Sequence, residues 1–367
     1  MKLACSRKEF ADAVSAAAAA ASARTTVTIL QHLKVEVTDS RVTVLGCDGE
    51  MWVERSAPIL VAEPGSACLQ ARLFTELVTK LSDGDIELRT LDGSGAMLVQ
   101  GVSEYRLQTL DAEDFPVPPE VQGETELKIP AGDLRKAVDS VAFAVSSDSH
   151  RAVLTGVLFH FDGSVLTLVA TDTHRLAVRK LLGLGEGKPF TAVVPEKALR
   201  AVKALPVSDD EVLTLRFSDS RMGVETAGSK VVTQLITGTY PNWERVVPGE
   251  HTRQWSVEVD QLAEKVRRAM ILARDNANRV RFRGGDDQIV IAAKSEEKGE
   301  AKEEVMMLAE NGNIEIAFNG AFVLDAIGQI KGPGVKVEMT ENTRPAIFRP
   351  ADDDADYFCV IMPMALV

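Results

Sequence analysis

Cysteine is scarce in this chain and scattered. Its four cysteines, Cys5, Cys47, Cys68 and Cys359, show no CxxC or Cys/His spacing, which removes zinc fingers and disulfide scaffolds and suits a reducing compartment. The five histidines form no HExxH, and no GxxxxGK[ST] or GxGxxG follows a strand pattern, so neither a metal nor a nucleotide cofactor is expected. Aromatic residues make up 5% of the chain, with three Trp and three Tyr, too few for an array that stacks on bases. The longest weakly polar run, Ala13 to Ala23, is too short to span a bilayer. MKLACSRKEF is charged before any apolar region begins, so the layout of a secretory signal is missing and a cytoplasmic location is expected. Positive charge is also in deficit, 41 Lys and Arg against 54 Asp and Glu, for a net charge of −13. A surface this acidic should not adhere to nucleic acid except through a locally basic face. What remains, in 367 residues of which 45% are hydrophobic, is enough apolar material for two or three folded domains.

The chain repeats itself. A strand followed by a helix reads CLQARLFTELVTKL at 68–81, AVVPEKALRAVKAL at 192–205 and EIAFNGAFVLDAIGQI at 315–330, with Ala71, Pro195 and Asn319 in one slot, 124 residues apart. Hairpins with turn residues at Asp39-Ser40, Asp162-Gly163-Ser164 and Gly284-Gly285-Asp286 fall on the same period, as do Asp48 and Asp172. Each third opens on another strand and helix, aligning Phe10, Leu134 and Leu262. Polar, proline-bearing stretches at 116–126 and 248–254 separate the thirds. The expectation is an α+β protein of three similar tandem domains, 1–122, 123–250 and 251–367, each a doubled strand–helix–strands unit with two helices on one face of antiparallel sheet. The acidic run at 295–304 reads as a solvated hairpin loop.

Basic residues recur on the helices. In 196–205, Leu199, Val202 and Leu205 share one side while Lys197, Arg200 and Lys203 share the other. The helix starting near Val259 is expected to bury Leu262, Val266 and Met270 and to expose Lys265 and Arg268. Arg135 and Lys136 lie on the helix of 132–142, Lys80 closes another, and Arg24 follows the first. Singly, each reads as solvated helix surface or as a cation favoured by the helix dipole. Together they predict a positively lined surface that meets phosphate backbones without reading sequence. Asp172 and His174 invite an acid/base reading, and a hydrolase would use them so, but the sequence places no nucleophile or oxyanion site beside them.

LVATDTHRLAV at 168–178, TYPNWERVVP at 239–248, FNGAFVLDAI at 318–327 and YFCVIMPMALV at 357–367 resemble the bacterial DNA sliding clamp family, the beta subunit of DNA polymerase III, and the resemblance spans the whole chain. It implies a non-enzymatic processivity factor: a head-to-tail homodimer closed into a ring around double-stranded DNA. Its implied partners are the replicative polymerase subunit, an ATP-driven clamp loader, and repair and translesion proteins that dock a short linear motif. The implied docking pocket comprises Arg151, Leu154, Thr171, His174, Arg175, Leu176, Pro241, Arg245, Val246, Asn319, Phe322, Val360, Met362, Pro363 and Met364, with Arg175 and Arg245 offering donors to the peptide. The implied subunit junction sets Tyr105 and Leu107, on an edge strand of the first domain, against Ile271 and Leu272 of the second copy. Arg24 matches a DNA-contacting position. Against the family pattern, Thr173 replaces a frequent glycine, Phe322 a frequent tyrosine, and Ala365 a frequent arginine, while Val367 lengthens the tail. A peptide-binding scaffold that never encircles DNA is the alternative, and would be a monomer not retained on circular DNA.

Overall fold

The computed structural model describes residues 1–22, 24–93, 95–123, 125–352 and 356–366; Val367, expected to lengthen the tail, lies outside the described residues. Among the described residues six helices alternate with short strands: α1 (Arg7–Ala18), α2 (Ala71–Lys80), α3 (Ala131–Ala142), α4 (Glu196–Lys203), α5 (Val259–Ala273) and α6 (Gly320–Ile327). Each follows directly on a strand, as the repeat requires. The opening strand of the middle repeat, Thr125–Pro130, alternates buried and exposed residues without a break, as a sheet with one covered face demands. The shared slot at 71, 195 and 319 is the strand-to-helix turn. Gln70 caps α2 by accepting from the Leu73 amide at 2.6 Å, and Asn319 caps α6 by accepting from the Ala321 amide at 2.9 Å. α4 stops at Lys203 rather than 205, because Pro206 disfavours helical geometry at the residue before it.

The chain divides into two compact units, Met1–Arg135 with Val194–Ile236, and Lys136–Val193 with Thr237–Val367. In the first, strands join into one 13-stranded antiparallel sheet. Strand Met51–Pro58 of the first repeat pairs with Ser229–Gln234 of the middle repeat, Val53 opposite Val231. In the second, a nine-stranded sheet joins middle and third repeats in the corresponding way, Arg175–Leu181 pairing with Tyr357–Ile361 so that Leu176 lies opposite Val360. The remaining strands of the third repeat form a separate four-stranded sheet. The middle repeat thus contributes strands to both units, and compact units and sequence repeats do not coincide.

The helices bury a stripe each. α1 places Phe10, Val14 and Ala17 against the sheet, with Phe10 edge-on to Phe74 of α2 at 5.8 Å between ring centroids. Gly46 permits that closeness, since a Cβ there would sit 2.0 Å from the Ala17 carbonyl oxygen. All four cysteines are buried and unpaired; burial pushes the Cys5 and Cys68 thiols up to about 12 and Cys47 up to about 11, which makes them packing residues rather than reactive ones. Among the described residues no helix is long and apolar enough to cross a membrane, and no cluster of His, Cys, Asp or Glu has metal-holding geometry.

Candidate peptide-docking site and basic helices

The segment Thr171-Asp172-Thr173-His174-Arg175 is a tight turn between two strands. Asp172 Oδ1 accepts from the backbone amides of His174 (2.9 Å) and Arg175 (3.0 Å), closing an Asx turn. Its repeat-mate Asp48 does the same for Glu50 and Met51, at 3.0 and 2.8 Å. The shared period therefore reports a turn, and Asp172 and His174 do not form an acid/base pair. The His174 ring is exposed and stacks on Phe322, 6.4 Å between centroids. We expect His174→Ala to shift unfolding free energy by less than about 0.5 kcal/mol. Asp172→Ala, which strips a partner from a largely buried cation, should cost about 3 kcal/mol in urea denaturation.

That cation is Arg175, with 10% of its side chain exposed. Its Nε donates to Asp172 (3.1 Å), Nη1 to Asp325 (2.5 Å) and Nη2 to the Phe143 carbonyl (2.6 Å), while its guanidinium lies 4.3 Å from the Phe322 ring centroid. Three of the five N–H donors of Arg175 are thus engaged by its own fold, and the residue lines the wall of the cleft described next.

Beside this turn opens a cleft of about 160 Å³ lined by Thr171, Thr173, Arg175, Leu176, Pro241, Trp243, Val246, Val360 and Met362. Leu176 and Val360 come from the paired strands, Trp243 and Val246 from a short 3₁₀ segment, Pro241 from the loop just before it, and Met362 from the chain end. The tail is fixed by two backbone bonds, the Met362 amide donating to His174 O (2.9 Å) and the Met364 amide to Ala317 O (2.7 Å). Seven expected residues meet here: Thr171, Arg175, Leu176, Pro241, Val246, Val360 and Met362. Trp243 was not anticipated, although an aromatic residue two positions after Pro241 was a readable hint.

Other expected members stand outside the lining. Leu154 is 3% exposed and belongs to the core. Asn319 is committed to its helix cap. Phe322 sits beneath Arg175, and Met364 is bridged to Ala317. Arg245 is exposed, and Pro363 half-buried, neither among the lining residues. Arg151 stands behind the rim, donating to Asp148 Oδ2 at 3.0 Å and to Thr173 Oγ1 at 3.2 Å. The Asp148 carboxyl is held below its usual range, first by the His150 amide and then by Arg151. The stability this anchor contributes is present above the ordinary carboxylate pKa and is lost as pH falls through the lowered value.

The basic helices are more neutralised than their sequence implies. Glu76 pairs with Lys80 on α2, Glu196 with Arg200 on α4, and Glu264 with Arg268 on α5. Lys197 pairs with Asp48. Lys265, expected to be exposed, is half-buried and meets Glu303 at 3.1 Å. Glu303 belongs to strand Gly299–Met306, so the acidic run expected as a loop is mostly strand. Arg135 is corrected too. Its guanidinium donates to the carbonyls of Lys203, Leu205 and Val207 and to Asp209, tying down the end of α4 rather than facing solvent. Lys136 and Arg24 are exposed, Lys203 half-buried. Cations still outnumber carboxylates on α2, α4 and α5, whereas α3 is balanced.

At the expected junction, Ile271 is 59% exposed, Leu272 half-buried and Tyr105 partly buried. Leu107 is 9% exposed within the first repeat's core, so it cannot present its side chain to a second copy. The strand that carries both, Ser103–Leu110, is paired along one side over Ser103–Gln108 and along the other only at Thr109 and Leu110.

Family models of the DNA polymerase III beta subunit match in order along the chain: the N-terminal domain over residues 1–119, the central domain over 128–242 and the C-terminal domain over 244–365. The chain belongs to the DNA polymerase III beta subunit family. It is 29% identical over 346 residues to the beta sliding clamps of Staphylococcus epidermidis and Staphylococcus aureus, covering 92% of each chain. Its fold superimposes on the Bacillus subtilis DNA polymerase sliding clamp with a TM-score of 0.93 at 27% identity, and on a Pseudomonas aeruginosa sliding clamp bound to griselimycin with 0.94 at 27%, covering 100% of both chains each time.

Proposed function

We propose that this chain is a sliding clamp of the bacterial replicative DNA polymerase, a processivity factor that acts without catalysis. Two copies join head to tail around duplex DNA. Family membership supports the clamp reading, and one structural relation carries the closure. Within the chain, strand Met51–Pro58 joins Ser229–Gln234, and 124 residues further on, Arg175–Leu181 joins Tyr357–Ile361. One more step leaves Gly299–Met306 as the donor with no acceptor, and one step back leaves Ser103–Leu110 as the acceptor with no donor. Among the described residues Gly299–Met306 pairs on one side only, and Ser103–Gln108 is open on one side. Two copies satisfy both edges twice, and no edge of this kind remains.

Retention then follows from topology. DNA contacts through α2, α4, α5 and Arg24 are weak, phosphate-directed and salt-sensitive, so the ring slides. The apolar cleft holds the short peptide ends of polymerase and repair partners, and opening is the task of a separate ATP-driven loader. A clamp loaded on circular plasmid should stay bound through gel filtration at about 0.5 M salt and leave within minutes once the plasmid is cut, since salt of that strength screens surface contacts. Equal release from circular and linear DNA would favour the non-encircling scaffold.

A further inference from the structure

The frame of the docking cleft occurs twice in this chain. Around the cleft, Asp172 closes a turn, Leu176 lies opposite Val360, and the Met362 amide donates to His174 O at 2.9 Å. One period earlier, within the first compact unit, Asp48 closes the matching turn, Trp52 lies opposite Val232, and the Gln234 amide donates to Glu50 O at 2.9 Å. The linkers correspond as well: Tyr240-Pro241 is matched by Phe115-Pro116, and Val246 by Val121 at the same distance beyond the proline. Their fates differ. Val246 is exposed at the open cleft, whereas Val121 is half-buried and packs, with Phe115, on the cluster that holds Cys47, Trp52 and Val232. The cause lies one strand further in. Ile347 stands opposite Val360 there, but Gly223 stands opposite Val232. A Cβ built on Gly223 would come 3.1 Å from Val121 Cβ and 3.2 Å from its Cγ2, and its three nearest atoms all belong to Val121. Gly223 is therefore the seat of Val121, a seat that Ile347 fills in the other copy of the frame.

We infer that the junction of the first and middle repeats holds a second docking cleft of the same construction, shut by residues 116–121 as a displaceable strap, and that its ligand is a short peptide with an apolar end. This rests on the docking reading above. Among the described residues, 116–122 make no hydrogen bond, so the burial of Phe115 and Val121 is what holds the strap down. Pro116, Pro118 and Pro119 keep the segment extended, so it lifts as a unit without secondary structure to break. Lifting it bares Trp52, Val232 and Cys47, the counterparts of Leu176, Val360 and Thr171. With the strap down, the Trp52 indole N–H is buried with no acceptor among the described residues, a donor of the kind that a peptide carbonyl satisfies. A site that is mostly covered binds with its affinity reduced by the fraction of time it is open, so the uncovered cleft dominates in the native chain.

The test uses the full-length chain with its uncovered cleft silenced by Met362→Lys, and a short fluorescein-labelled peptide ending in Leu-Phe, read by polarisation. Gly223→Ile gives the first junction the residue of the second, and Gly223→Ala is the milder form, which decides the matter should the larger side chain unfold the repeat. Both fill the seat of Val121 within strand Arg221–Glu225. Each should speed cleavage by a glutamate-specific protease at Glu120, exposed in the strap, by about tenfold, because such cleavage follows the population of the open form. Each should also raise peptide affinity over Met362→Lys alone by at least about tenfold. Faster cleavage with no gain in affinity overturns the second cleft, and unchanged cleavage in the folded variants overturns the strap. If the native chain itself fails to bind the peptide, the docking reading falls and the second cleft with it, while faster cleavage at Glu120 still supports the strap.

Discussion

Replacing Ile271 and Leu272 by glutamate should give a folded monomer that no longer stays on circular DNA. Ile271 is exposed on α5, while the opposite stripe of that helix, including Val266, Ala269 and Ala273, is buried. A charge at 271 therefore leaves the helix's own packing alone and places an unpaired carboxylate where an apolar contact with the second copy would form. Loss of a central apolar contact of this kind removes about 2–4 kcal/mol, and so weakens dimerisation by about 30- to 1000-fold. Leu272 is half-buried, so Ile271→Glu alone is the cleaner variant and the double substitution the stronger one. Sedimentation at micromolar concentration should report half the native mass, with a melting temperature within a few degrees of the native chain. Leu107→Glu is not an equivalent test, because that side chain lies in the first repeat's own core and its charge would unfold the repeat. A dimer that survives the double substitution would show that the junction has been misplaced.

Much of the architecture was legible because it is locally punctuated. The slot shared by Ala71, Pro195 and Asn319 marks a strand-to-helix turn, capped locally by Gln70 at α2 and by Asn319 at α6, and Asp48 and Asp172 mark turns closed by their own carboxylates. Contacts over long separation were not legible. Nothing near Arg135 announces that it will clasp carbonyls about 70 positions away, and nothing near Lys265 announces Glu303. The pairs Glu76–Lys80, Glu196–Arg200 and Glu264–Arg268 could have been read from their i,i+4 spacing, which tempers the basic surface drawn from the lysines and arginines alone. The cleft residues came through the family resemblance and not from periodicity, because a pocket assembled from a turn, a 3₁₀ segment and a chain end has no period. Trp243 escaped for that reason.

Met362→Lys should abolish peptide docking while the dimer and its retention on circular DNA stay native. Met362 is 39% exposed and contributes its side chain to the cleft, whereas its hold on the fold is the backbone bond to His174, which lysine keeps. Lysine puts an ammonium among Leu176, Val360 and Trp243, where no carboxylate lines the cleft to receive it, so affinity should fall by at least about 100-fold. Val246→Glu, at an exposed residue of the same wall, should act alike from the other side. Deleting the last five residues reaches the same end by another route. It leaves Met362 but removes the Met364 bond to Ala317, and with it the anchor that keeps the tail along the cleft. Because the cleft is apolar and the guanidinium of Arg175 is held by its own carboxylates, docking in the native chain should change little between 50 and 200 mM salt, while a contact that depended on exposed charge would weaken as salt screened it. Unchanged affinity in Met362→Lys, Val246→Glu and the truncated chain together would place the peptide elsewhere on the molecule; strong salt dependence in the native chain would point to the exposed cations of the helices as its true seat.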